Sequence, residues 1–128
     1  MYDCNIVVID DDIIILELVQ IILKEIISGE IHVFPDSKQA LDYVQSDSMD
    51  SISLVICDWL MPEVSGLDIL AALRSSQSLC PFLMLTANAT KQLVVDSMRL
   101  GATDFIVKPF HAHDLLTKVE RLIRDAYG

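Results

Sequence analysis

The stretch Ile6-Val7-Val8-Ile9-Asp10-Asp11-Asp12 decides how this chain folds. Four branched apolar residues in a row, followed at once by three carboxylates, predict a strand buried on both faces that ends at a charged edge. The pattern recurs further on. Leu54-Val55-Ile56-Cys57 ends in Asp58, and Phe105-Ile106-Val107 ends in Lys108. Open α/β sheets build their ligand sites at the C-terminal ends of such strands. Carboxylates crowded at one sheet edge repel one another and lose hydration, so an acidic edge points to a bound cation or phosphoryl group. The arrangement predicts a metal-dependent phosphoryl site.

Outward from this stretch, runs rich in branched apolar residues predict five strands at 5–9, 30–34, 53–57, 81–86 and 103–107. Helical patterns fall between and after them, at about 12–27, 37–45, 66–75, 89–100 and 111–126. In the first helix Glu17, Gln20, Lys24 and Ser28 mark a polar face, opposite Ile15, Leu18, Val19, Ile22, Leu23 and Ile26. Ile13 and Ile21 fall near the polar face, leaving apolar surface with no evident use in the core. Ser37 is placed to cap the second helix, and Gly101 to stop the fourth. Strands alternating with helices five times over predict an α/β fold: a doubly wound parallel sheet covered on both faces.

A chain of 128 residues suits a single domain spanning 1–128, and no repeat, low-complexity tract or linker divides it. Charged and polar residues (Glu17, Gln20, Lys24, Glu25) break the longest apolar stretch, so no membrane span is expected. The N-terminus carries no secretory pattern, which makes the cytoplasm the expected compartment. Cys4, Cys57 and Cys80 read as buried reduced thiols and not as a disulfide framework or a zinc site. A formal net charge of −10 repels phosphate backbones and argues against nucleic-acid binding through these residues.

On the predicted sheet Asp10 and Asp11 follow the first strand, Asp58 the third and Lys108 the fifth, while Thr86 ends the fourth. Singly, each has an ordinary explanation as a cap, turn or strand-end residue; Asp12 alone reads equally well as a helix N-cap. Their joint occurrence at four strand ends does not. His111 and His113 lack metal-ligand spacing and read as solvated.

The motifs Ile9-Asp10-Asp11-Asp12, Asp58-Trp59-Leu60-Met61-Pro62-Glu63-Val64-Ser65-Gly66, Leu85-Thr86-Ala87 and Lys108-Pro109-Phe110 resemble, in order and spacing, the receiver domain of bacterial two-component response regulators, in the manner of the chemotaxis regulators. The resemblance covers essentially the whole chain. It implies a flavodoxin-like sheet of strand order 2-1-3-4-5 and a phospho-accepting switch that catalyses only its own phosphorylation and dephosphorylation. Asp58 would be the nucleophile, taking a phosphoryl group from a phosphohistidine on a sensor histidine kinase or phosphotransfer protein, or from a small phosphodonor. Asp11 and Asp58 would bind Mg²⁺ (or Mn²⁺) directly, Asp10 through a water, and Leu60 through its backbone carbonyl. Lys108 and Thr86 would hold the phosphoryl oxygens. Thr86 and Phe105 would pass the change to a surface made of the fourth helix, fifth strand and fifth helix, which would bind a target or a second copy. Phe105 stands where family members often carry tyrosine; it has no hydroxyl to bond. Leu60 and Asn88 would frame the path of water to the acyl phosphate and tune its lifetime. Pro109 is expected in a cis or sharply turned bond.

Two other readings compete. A Mg²⁺-dependent phosphatase with Asp58 as transient nucleophile wants a second acid two residues on, where this chain has Leu60. An adaptor of the same fold working without phosphorylation usually lacks an acid or the lysine, and all are present here.

Overall fold

The computed structural model describes all residues from Met1 to Gly128. Five strands, β1 (Asn5–Ile9), β2 (Ile31–Phe34), β3 (Ile52–Asp58), β4 (Phe82–Thr86) and β5 (Asp104–Val107), alternate with α1 (Ile13–Leu23), α2 (Ser37–Val44), α3 (Gly66–Ser75), α4 (Lys91–Leu100) and α5 (Ala112–Tyr127). The strands form one parallel sheet in the order β2-β1-β3-β4-β5. The strand order expected from the resemblance is therefore the observed one.

Side chains alternate across the sheet and build two cores. Ile6 and Val8 point with Leu54 and Ile56 toward α1 and α5; Val7 and Ile9 point with Val55 and Cys57 toward α2 and α3. The three central strands are covered on both faces, which is why their sequences show unbroken apolar runs rather than alternation. No helix is long and apolar enough to cross a membrane.

Several local expectations need correction. The first helix ends at Leu23, four residues before the apolar period does. Its last hydrogen bonds tighten to three-residue spacing at Glu25 and Ile26, and Ile27 then pairs with Tyr2 in an isolated parallel bridge. Leu18, placed on the inward face by periodicity, is 42% exposed, whereas Leu16 is buried. Ser37 does not cap α2; Asp36 does, accepting from the backbone N–H of Lys38 and Gln39. The polar loop before β3 contains a short 3-10 helix, Asp47–Ser51. Gly101 ends α4 as expected, in the left-handed conformation at φ 103° that favours glycine. Cys4, Cys57 and Cys80 are free; Cys57 and Cys80 are buried as expected, whereas Cys4, just before β1, is only half-buried.

The order of strands sets the position of any site. After β1 the chain turns to one side for β2 and then crosses to the other for β3, so a crevice opens at the C-terminal ends of β1 and β3. The register pairs Ile9 with Cys57. The next residues along each strand, Asp10 and Asp58, are thereby set side by side.

Candidate functional site

Asp10 is completely buried and Asp58 is 8% exposed, while Asp11 faces solvent at the crevice mouth. One oxygen from each of the three carboxylates can be chosen so that all lie within 4.8 Å of one another. Lys108, carried in from the end of β5, lies between two of them. Its Nζ donates to Asp10 Oδ2 at 2.6 Å and to Asp58 Oδ1 at 3.2 Å. The closer partner is thus Asp10, not Asp58. The Lys108–Pro109 peptide bond is cis.

The electrostatics follow from this packing. Burial, together with the Asp10 charge, raises the Asp58 pKa from its ordinary 3.8 to about 6, although Lys108 opposes the shift. Burial alone would lower the Lys108 pKa, but its contacts with Asp10 and Asp58 outweigh that and raise it. The neighbouring Cys57 thiol is buried, and its pKa is pushed up mainly by burial and then by Asp58 and Asp10, leaving an inert side chain.

Backbone turns hold the acids in place. Asp12 caps α1 by accepting from Ile14 N–H at 3.0 Å, and its own N–H donates to Asp10 Oδ1 at 2.9 Å. Asp12 therefore serves as cap and brace, whereas Asp10 and Asp11 are left for the site. After β3 the chain loops through Leu60 to Gly66, whose N–H donates to Trp59 O at 2.7 Å. A Cβ on Gly66 would stand 2.4 Å from the Asp58 carbonyl oxygen, so only glycine permits this close return. The Leu60 carbonyl accepts no hydrogen bond, and the Leu60 side chain is exposed. Ser37 has a use that capping logic missed. Its Oγ donates to Pro62 O at 2.6 Å and accepts from Val64 N–H at 3.3 Å, clamping this loop against α2. The burial of a serine at a helix start was the only signal, and the sequence does not display burial.

Thr86 is buried at the end of β4, its Oγ1 accepting from the Asn88 N–H at 3.1 Å. Asn88 is exposed. Phe105 is half-buried against the α2/α3 core, with Lys118 Nζ 5.5 Å from its ring centroid. His111 and His113 are exposed and stand outside the carboxylate group.

The donor set fits a hard divalent cation. Three carboxylates against one ammonium leave a net double negative charge, all available donors are oxygens, and the free Leu60 carbonyl adds another. A groove of 780 Å³ beside Asp47, Asp50, Leu79 and Tyr127 lies away from these residues; a cleft of 270 Å³ flanks Asp11, between Asp36, Pro62 and Glu63.

The response regulator receiver domain profile matches residues 6–120. The chain belongs to this family. The receiver is 35% identical over 126 residues to the transcriptional regulatory protein CpxR of Escherichia coli K12, covering 96% of this chain and 50% of that one. It is 33% identical over 127 residues to the alkaline phosphatase synthesis transcriptional regulatory protein SphR of Synechococcus elongatus, covering 94% of this chain and 49% of that one. The receiver spans about half the length of these relatives. Among solved structures it is similar to the chemotaxis protein CheY4 of Vibrio cholerae, with a TM-score of 0.82 and 26% identity over 94% of this chain and 99% of that one. A receiver domain from Clostridium thermocellum superposes with a TM-score of 0.85 at 28% identity, covering 96% of each chain. Receivers of this family bind Mg²⁺ at an acidic pocket, and this receiver has a cluster of three aspartates.

Proposed function

We propose that this receiver, as one unit spanning residues 1–128, is a phospho-accepting switch in which Asp58 is the acceptor. The observation that carries the reading is the Lys108 ammonium held between Asp10 and Asp58, with Asp11 completing the group of three carboxylates. An Asp58 carboxylate oxygen attacks the phosphorus of a phosphohistidine on a sensor kinase or phosphotransfer protein. A P–O bond forms, the P–N bond breaks, and the leaving imidazole nitrogen takes a proton. Hydrolysis of the acyl phosphate later returns the carboxylate and inorganic phosphate, so the chain turns over nothing beyond its own phosphoryl group.

Asp11, Asp58 and the Leu60 carbonyl would hold Mg²⁺, or Mn²⁺ in its place, with Asp10 acting through a water. A bound divalent cation supplies the positive charge that lets a carboxylate and an anionic phosphoryl group meet. Lys108 remains to neutralise the phosphoryl oxygens, and the Thr86 hydroxyl donates to one of them. Drawing Thr86 inward moves the loop carrying Asn88, and Phe105 follows, which alters the surface of α4, β5 and α5 for a downstream target or a second copy. Exposed, apolar Leu60 cannot orient an attacking water whereas Asn88 can; together they set the lifetime. The setting is the cytoplasm, where phosphohistidine kinases keep their ATP.

The phosphatase reading loses to this one because Leu60 supplies no general acid. Incubation with acetyl phosphate and Mg²⁺, read by intact mass, tests the assignment. One phosphoryl adduct is expected, absent with chelator and absent in Asp58→Asn; an Asp58→Asn variant that labels at the wild-type rate would sink it.

A further inference from the structure

Arg74, in the last turn of α3, is a half-buried cation with no carboxylate partner. Its guanidinium is held by backbone carbonyls alone. Nε and Nη2 donate to Gly101 O at 3.0 and 2.8 Å, and Nη1 donates to Ser78 O at 3.0 Å and Cys80 O at 2.7 Å. Burying a charge without a counter-charge is costly, and four hydrogen bonds from one rigid fork are what offset it. Gly101 is the residue that ends α4, and it makes room for this contact as well as for its own turn. A Cβ there would lie 3.0 Å from Arg74 Nε and 3.3 Å from Cδ and Cγ.

The two ends of α4 are anchored very differently. At the C-terminal end, Gly101 takes two hydrogen bonds from Arg74, Ala102 N–H bonds to Ser97 O, and Thr103 is tied to Phe82 in both directions. At the N-terminal end, Ala87, Asn88 and Thr90 are exposed, and the segment hangs from Thr86 by the single bond between Asn88 N–H and the Thr86 hydroxyl, with Thr90 capping the first turn. Between the ends only Leu93 and Ser97 are buried, so packing along α4 is sparse.

We propose that Arg74 is the pivot of α4, a positioning residue that fixes the helix at Gly101 so that movement begun at Thr86 swings its N-terminal end. This rests on the phospho-switch reading above. The bonds from Arg74 to Ser78 and Cys80 make the α3–β4 loop the fixed body, and Gly101 is the point of α4 joined to it. Displacement then grows with distance from Gly101 and is greatest at Lys91 and the loop before it.

The test uses the full chain, with amide spectra recorded before and after acetyl phosphate and Mg²⁺, and intact mass taken on the same sample. With the adduct present, chemical-shift changes on α4 should be largest from Ala87 to Val94 and fall away toward Gly101. In Arg74→Met, which keeps the side chain's stem and loses the fork, and in Arg74→Lys, which keeps the charge, labelling of Asp58 should be unchanged. The gradient should flatten, with shifts spreading to Leu100 and Ala102, and amide exchange at Gly101 and Ala102 in the unlabelled protein should quicken about tenfold. A merely structural role for Arg74 would speed exchange but leave the gradient alone. Wild-type protein with full adduct and shifts as large at Gly101 as at Lys91 overturns the pivot by itself, with no variant needed. Gradients that survive in both variants overturn it too, and absence of any adduct overturns the pivot together with the switch.

Discussion

Asp58 is held in a state it does not prefer. In the cation-free protein its carboxyl has a folded pKa of about 6 against an ordinary 3.8, so the folded chain retains a proton that the unfolded chain has released between those values. The stabilising contribution is full below about pH 4 and is lost as pH rises to about 6. At neutral pH the ionised group therefore costs stability, on the order of 2 kcal/mol when the site's open side is allowed for. Asp58→Asn should stabilise the cation-free protein at pH 7 by about 1–2 kcal/mol and give little or nothing at pH 4. Urea unfolding at the two pH values checks this, and a variant less stable than wild type at pH 7 would contradict it. Lys108 behaves in the opposite sense. It is the only cation bonded to the fully buried Asp10, so Lys108→Ala leaves a buried charge uncompensated and should cost about 3 kcal/mol in cation-free unfolding. Added Mg²⁺ should recover part of that loss.

At the scale of elements, the loop from β3 to α3 positions the site, and its supports are the part the sequence showed least. The need for glycine at Gly66 comes from its approach to the Asp58 carbonyl, which depends on the loop's path and on no local pattern. Ser37 looked like a cap because serine often is one, yet Asp36 took that role and freed the hydroxyl to join Pro62 to Val64. Ser37→Ala should cost about 1 kcal/mol, since it removes the hydroxyl that joins Pro62 O to Val64 N–H. Because this loop carries the Leu60 carbonyl, the same change should also weaken Mg²⁺ binding, as measured by titration calorimetry. Unaltered affinity would separate the clamp from the site. The first helix misled for a different reason. All of its eleven residues but Glu17 and Gln20 are apolar, so periodicity could not say which arc faces inward, and it left Leu18 on the wrong one. Nor could it foresee that Tyr2, far off in sequence, pairs with Ile27 and ends the helix early. What was legible was the residue type at each strand end. Burial on both faces leaves the runs 6–9, 54–57 and 82–85 without charged or hydroxyl side chains, so the polar residues that follow them stand out.

Across the whole molecule, strand order does what no single segment can, gathering Asp10, Asp11, Asp58 and Lys108 from three strands at one crevice of a chain with net charge −10. Folding concentrates like charge there, and only Lys108 offsets it from within. A ligand that binds the folded form alone stabilises it by mass action, by about 2.7 kcal/mol at a concentration one hundred times its dissociation constant. Mg²⁺ should therefore raise the unfolding midpoint progressively with concentration, while NaCl at matched ionic strength, which merely screens surface charge, should do much less. Asp11 is the exposed member of the group and carries no hydrogen bond of its own, so Asp11→Asn should fold normally without Mg²⁺ and lose most of the Mg²⁺-dependent shift. If NaCl reproduced the Mg²⁺ effect, or if Asp11→Asn kept it, the carboxylates would be acting as a diffuse acidic surface and not as a site, and the fold would have brought them together without the cation that explains their company.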